Sequence, residues 1–371
     1  MEGKRRDRDR RPVGPSTPTR IIKPRQTLVS QVVEKELSQP QPKELMSPVS
    51  SEPKPDAKPA LKEGCKFISE YGEITDAVLE VLTNNVNFNV VSAIGPQGTG
   101  KSTVLSMLAG NTSRHMYRDY VFRPVSREAN ELSRHQTMKL EIFITNHHIF
   151  IDCQPTHSVS ILEVLTRNSK FDDPHGGTET LKLLSFLFAV SHTVLVCNES
   201  YIDMNMIRTI RTASLIRPYL KNFEPKLSLD RKVNLLFLHT KAQSIDFTAS
   251  VMAERENLLR RMFDDSDLFR LPTKLFFPLA DIKLRRDQLC ENAEAENEDD
   301  IEKSFQLFDD EIYKLRGEIL KNRDSFTEIV GAMDEKKWAE MCQEVMKDPI
   351  LANSLRQFQK MSADANLLKD Y

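Results

Sequence analysis

From residue 61 onward the chain alternates between two patterns. One is a short run that is apolar at nearly every position. The other is a longer stretch that is apolar at every third or fourth position. The first pattern predicts strands buried on both faces, the second amphipathic helices. Strands are expected at "NFNVVSAIG", "YVFRPV", "KLEIFIT", "HHIFIDCQP", "HTVLVCN", "KVNLLFLHTK" and "TKLFFPLA". Helices are expected at "FISEYGEITDAVLEVLTN", with Phe67, Ile68, Tyr71, Ile74, Val78, Leu79 and Leu82 on one face, and at "KSTVLSMLAG" and "ETLKLLSFLFAV". They continue at "MNMIRTIRTASLIRPYL", which has a basic face, and at "ASVMAERENLLRRMF". "IEKSFQLFDDEIYKLRGEIL" aligns Ile301, Phe305, Phe308, Ile312 and Leu315, and a last helical stretch holds the only tryptophan in "MDEKKWAEMCQEVMKDPILANSLRQFQKM".

Continuous apolar strands alternating with helices predict an α/β fold with a mostly parallel sheet and helices on both faces. "KLEIFIT" and "HHIFIDCQ", separated by a short turn, add one antiparallel hairpin. That layout is the one of a small P-loop G domain. The expected organisation is a disordered basic and proline-rich tail over 1–60, a G-like domain over 61–325 and a C-terminal helical extension over 326–371. The tail holds ten of the nineteen prolines and has no sustained periodicity, so it cannot bury enough apolar surface to offset its ordering entropy.

Composition narrows the class. The 371 residues carry a formal net charge of −2, so there is no global attraction to nucleic acid. The first 25 residues are an exception, with nine Lys or Arg against three Asp or Glu, and direct RNA contact by this tail stays open. The five cysteines are scattered without paired spacing, which argues against a disulfide scaffold or zinc site and for a reducing, cytoplasmic location. No apolar run reaches the roughly 18–20 residues of a membrane span, and no membrane association is expected.

The candidate chemistry lies in "AIGPQGTGKST". Strand, glycine-rich loop and helix follow in the order that a phosphate-binding loop requires. Gly95, Gln97, Gly98, Thr99, Gly100, Lys101, Ser102 and Thr103 are the candidate nucleotide-binding residues. In such a loop backbone N–H groups wrap the phosphates at a helix N-terminus and the lysine reaches the terminal ones. Ser102, Thr137 and Asp152 are the candidate Mg²⁺ residues: a loop hydroxyl, a switch threonine and a carboxylate closing a neighbouring strand. Thr240 and Lys241, in "LFLHTKAQ", fit a base-recognition motif, but Gln243 stands where a guanine-specific carboxylate belongs. The cofactor expected is therefore a purine nucleotide with Mg²⁺, GDP/GTP or ADP/ATP, without a strict base choice. The run Asp152-Cys153-Gln154-Pro155 puts proline where G domains keep a glycine whose N–H touches the γ-phosphate, and proline has no N–H. Gln136 and Gln154 are both available to orient a water, and nothing in the sequence chooses between them. Efficient hydrolysis is not expected, and no catalytic residue is assigned.

The phosphate loop together with Asp-x-Gln-Pro is a specific combination. With "YVFRPVS", "QTMKLEIFIT", "LSFLFAVSHTVLVCNE", "LLFLHTKA" and "DEKKWAEMCQEVMKD", it makes the chain resemble the family of the ninth SMG protein of nonsense-mediated mRNA decay. The resemblance covers about residues 61–371 and the tail piece "IIKPRQ". It implies a dynamin-related G domain that pairs with the eighth SMG protein. It further implies that the pair binds and restrains the phosphatidylinositol-3-kinase-related kinase of that pathway. The expected pairing surface includes the loops near Thr137 and Pro155 and the segment 156–180, with Val159, Ile161, Leu162 and Leu165 as apolar anchors. The competing expectation is that these four pack on the protein's own sheet. The alternative functions are an active dynamin-like GTPase and an ATPase or nucleotide kinase.

Overall fold

The computed structural model describes residues 61–364, apart from 70, 114–119, 133, 169–176, 200–201, 219–231, 281–297 and 323–332. The expected disordered tail lies outside the described residues. So do the acidic "ENAEAEN" segment and the tail piece "IIKPRQ".

Eight strands form one sheet in the order β1-β3-β4-β2-β5-β6-β7, with β8 also pairing β6. They are β1 (Cys65–Lys66), β2 (Asn89–Ile94), β3 (Leu140–Ile144), β4 (His148–Cys153), β5 (Thr193–Asn198), β6 (Val233–Ala242), β7 (Phe269–Arg270) and β8 (Phe276–Ala280). The pairs β4–β2, β2–β5, β5–β6, β6–β7 and β6–β8 are parallel, whereas β3–β4 and β1–β3 are antiparallel. The fold is the α/β class that the alternating pattern predicts, hairpin included.

Why the central strands are apolar throughout is visible in their two faces. Val90, Ile94, Val194, Val196, Leu235 and Phe237 join one core cluster, and Val91, Ala93, Leu195, Cys197, Leu236 and Leu238 join the other. The second cluster is closed by α2 (Lys101–Leu108) and by the helix α8 (Glu298–Lys321), through Phe308, Ile312, Leu315 and Ile319. The expected Phe308, Ile312 and Leu315 face is therefore the buried one; the side chains of Ile301 and Phe305 lie outside the described residues. On the first face lie α5 (Gly177–Val190), α6 (Met204–Leu215) and α7 (Ala249–Phe263).

The C-terminal stretch forms two helices, α9 (Glu335–Met346) and α10 (Pro349–Asp364), and both contribute to the first cluster. The break falls where Pro349 opens α10, the helix position that tolerates a missing N–H. Trp338 is fully buried, stacked on Phe67 at 5.7 Å, and its indole Nε1 donates to the Val190 carbonyl at 3.0 Å. Glu335, also fully buried, accepts from the Thr83 N–H and hydroxyl and from the Asn85 amide, each at 2.9 Å.

Two expected elements are absent. "FISEYGEITDAVLEVLTN" is not one helix; only α1 (Asp76–Leu79) is helical. Phe67 bonds across to Leu140, Ile68 bridges Ile74, and the Ser69–Glu73 turn passes through Gly72 at φ 76°. The two apolar positions that a helical face would have buried, Tyr71 and Leu79, are exposed. "YVFRPV" is not a strand either. It is held by loop contacts, with the Gly64 N–H donating to Val121 O and the Phe122 N–H to the Ser106 hydroxyl, while Phe122 fills the second core. Spacing alone cannot tell a segment that plugs a core from one that pairs in a sheet. Among the described residues the remaining α-helices are α3 (Arg127–Glu131) and α4 (Val159–Asn168).

Candidate nucleotide site

All the candidate site residues fall at one edge of the sheet. The parallel strands β2, β4, β5 and β6 end there, which is the edge where open α/β sheets bind ligands. Between β2 and α2 the chain turns through Gly95, Gly98 and Gly100, at φ 147°, 78° and 75°. At Gly95 a Cβ would lie 2.2 Å from the Cys197 carbonyl oxygen of β5, so no side chain fits there. Gly100 caps α2 in the left-handed conformation and packs against β6, where an added Cβ would lie 3.7 Å from Thr240 Cγ2.

Four of the predicted residues converge. The Ser102 hydroxyl donates to Asp152 Oδ2 at 2.7 Å, and the buried Thr137 hydroxyl donates to the same oxygen at 3.0 Å. The other oxygen, Oδ1, is buried without a hydrogen-bond partner. Lys101 Nζ folds back over the loop and donates to the Pro96 carbonyl at 2.8 Å, as the Thr99 hydroxyl does at 2.9 Å. Burial pushes the Asp152 carboxyl above its usual range and the Lys101 ammonium below its own, and the attraction between the two opposes both displacements. This donor set fits the expected group: two hydroxyls and a carboxylate are hard oxygen ligands for Mg²⁺. The half-bare Asp152 is an acceptor set aside beside a buried cation. When bound, Mg²⁺ would neutralise phosphate charge at Ser102, Thr137 and Asp152. Among the described residues no group of three His, Cys, Asp or Glu side chains could hold a metal by itself.

The other predicted residues have different partners. Gln97 turns away from the loop: its Nε2 donates to Arg134 O at 2.9 Å and its Oε1 accepts from the Ser158 hydroxyl at 2.8 Å. Ser158 in turn contacts Ser160, which bonds the His135 N–H and ring, so one polar chain joins the loop, the Thr137 segment and the start of α4. Thr103 is half-buried in the first turn of α2. The Thr240 hydroxyl donates to Asn198 O at 3.1 Å. Lys241 stands at φ 56° with its ammonium 2.6 Å from Glu199 Oε1, and both side chains are about half exposed. Of the two glutamines, Gln136 is exposed and Gln154 buried.

Sequence reasoning missed the carboxylates around Gln243. Glu199, just past β5, is the one that meets Lys241. Asp246 is buried three residues beyond Gln243 and occupied: it accepts from the Gln243 N–H at 2.8 Å and from Arg255 at 2.7 Å. Burial raises the Asp246 carboxyl, but these hydrogen bonds and the nearby Arg255 and His239 outweigh it and hold the group below its ordinary value. The only readable signal was the Asp two residues after "KAQS", outside the usual motif spacing.

The segment after Asp152 is fixed to its neighbours. The Gln154 N–H donates to Lys139 O at 2.8 Å, Pro155 has none, and the Thr156 N–H donates to Gly95 O at 3.0 Å. A parallel bridge between Pro96 and Thr156 completes the seam. No main-chain donor from Gln154 to Thr156 is left for a phosphate.

No protein-family model matches the chain. Among solved structures, bacterial selenocysteine-specific elongation factor EF-Sec aligns at TM-score 0.32 and 11% identity, over 63% of this chain and 28% of that one, too low a score to support any conclusion. Curated proteins are far closer. Nonsense-mediated mRNA decay factor SMG9 of Xenopus laevis is 30% identical over 224 residues, 56% of this chain and 44% of that protein. Nonsense-mediated mRNA decay factor SMG9 of Caenorhabditis briggsae is 51% identical over 310 residues. The protein of the same name from Caenorhabditis elegans is 52% identical over 310 residues, 82% of this chain and 80% of that one. At that identity, across four-fifths of both proteins, the chain belongs to the SMG9 family of nonsense-mediated mRNA decay factors.

Proposed function

We propose that this chain acts in nonsense-mediated mRNA decay in the cytoplasm as a G-like subunit that holds a purine nucleotide with Mg²⁺ without turning it over. It pairs with the eighth SMG protein, and the pair restrains the phosphatidylinositol-3-kinase-related kinase of the pathway. The observation that carries the non-catalytic reading is the seam after Asp152. In a working G domain this stretch moves to meet the γ-phosphate through a main-chain N–H. Here that donor is replaced by Pro155, and its neighbours are spent on Lys139 and Gly95. The parts that hold a nucleotide, Lys101, Ser102, Thr137 and Asp152, are together. The kinase role rests on family membership alone. Among the described residues no helix is long and apolar enough to cross a membrane.

The proposed pairing surface is the exposed side of α4. Ile161 is buried, so this expected anchor packs on the protein itself, whereas Val159 is 68% exposed. The Leu165 side chain lies outside the described residues. Val159 stands at the rim of a cavity of about 310 Å³ lined also by Pro155, His157, Leu181 and Phe358. An exposed valine beside a partly apolar hollow offers a partner apolar area to bury, worth about 1.5–3 kcal/mol when fully covered. Val159→Glu is expected to reduce co-purification with the eighth SMG protein at least tenfold and leave the melting temperature nearly unchanged. A complex that survives the change at full yield rejects this surface.

A further inference from the structure

Gln154 is 4% exposed, and its side chain has been half used. The carboxamide oxygen accepts from the Lys139 N–H at 2.8 Å, while the Gln154 N–H returns a bond of 2.8 Å to the Lys139 carbonyl. This reciprocal pair continues the β3–β4 ladder one residue beyond β4. It clamps Lys139 in the left-handed region at φ 55°, a conformation that a lysine adopts only when its surroundings hold it there. With the oxygen pinned, the orientation of the amide is settled. Its nitrogen, Nε2, is buried and has no hydrogen-bond partner. Two donor hydrogens are therefore unspent in a place that water does not reach, and native proteins rarely leave such a group idle without a use for it.

Its position suggests the use. Side chains two apart on an extended chain share a face, so Gln154 lies on the face of Asp152, one step further toward the edge where α2 begins. Asp152 Oδ1 is the other buried polar atom left over at this strand end. We propose that the Gln154 Nε2 amide donates to the terminal phosphate of a bound nucleoside triphosphate, replacing the main-chain N–H that Pro155 lacks. The site then distinguishes triphosphate from diphosphate by a side chain whose oxygen is already held by the Lys139 N–H. This inference rests on the nucleotide reading above and names the residue that senses the third phosphate.

Gln154→Glu separates the two functions of the side chain. It keeps an oxygen to accept from Lys139 and exchanges the amide donor for a second oxygen that repels phosphate. Titration calorimetry on the full chain with Mg²⁺ compares ADP and GDP with the imido analogues of ATP and GTP. The expected result is at least a tenfold loss of affinity for the triphosphate analogues and a change of less than twofold for the diphosphates. Equal losses for both classes, or none, overturn the proposal. Wild-type protein that binds diphosphate but not the analogues overturns this inference alone; wild-type protein that binds none of the four overturns the nucleotide reading with it. If the Gln154→Glu chain does not fold, Gln154→Met carries the same comparison: a selective loss of the analogues supports the proposal and a uniform loss rejects it.

Discussion

Replacing Trp338 with alanine is expected to remove about 4 kcal/mol of stability and lower the melting temperature by roughly 10 °C. The indole is fully buried between Phe67, stacked with an interplanar angle of 2°, and Phe88, edge-on at 6.2 Å. It therefore joins three distant parts of the chain: the segment that enters the domain, the end of α5 and helix α9. Alanine leaves a cavity between Phe67 and Phe88, and it strands the Val190 carbonyl that now accepts from Nε1. Trp338→Phe keeps a ring in the stack and loses only the hydrogen bond and part of the volume, so its cost should be about half. Chemical denaturation of the three proteins checks the order. A loss below about 1 kcal/mol for the alanine variant would mean that α9 is dispensable to the core, contrary to its packing.

Lys101→Ala is expected to weaken nucleotide binding about 10- to 100-fold, because a charge-assisted hydrogen bond of about 1.5–3 kcal/mol is lost. The fold should survive. Lys101 donates only to the Pro96 carbonyl of its own loop, and Asp152 keeps the hydroxyls of Ser102 and Thr137. Calorimetry with ADP or GDP reads the affinity, and a melting curve in the absence of nucleotide shows whether the domain is intact. An unchanged affinity would place the nucleotide elsewhere on the protein.

The sheet was legible because its central strands are buried on both faces and so are apolar without interruption. Val91 and Val90 face different cores, yet the pattern is the same. The glycine-rich turn between β2 and α2 was legible for another reason: three glycines at positive φ leave a fixed spacing. What the sequence hid was the identity of partners. Phe67, Tyr71 and Leu79 have helical spacing, but Phe67 stacks on a tryptophan 271 positions away while the other two face solvent. Nothing local encodes that. Gln154 and Gln136 look alike in sequence; burial and the clamp on Lys139 distinguish them. Asp246 likewise gained its meaning from Arg255, nine residues further along and on another element. Motif spacing finds groups held by one loop, whereas groups brought together by the sheet must be seen in three dimensions.

A nucleotide held and not hydrolysed is tested most directly by phosphate release from the purified chain, alone and mixed with the proposed partner, with Mg²⁺ and either ATP or GTP. A G domain assisted by a partner that completes its site turns over at about 1 per second or faster, and an unassisted one at roughly 10⁻⁴ to 10⁻³ per second. The seam of Gln154, Pro155 and Thr156 leaves no main-chain donor for a γ-phosphate. The expected result is nucleotide recovered intact, with release no faster than the unassisted range whether or not the partner is present. Partner-stimulated release approaching 1 per second would contradict the account.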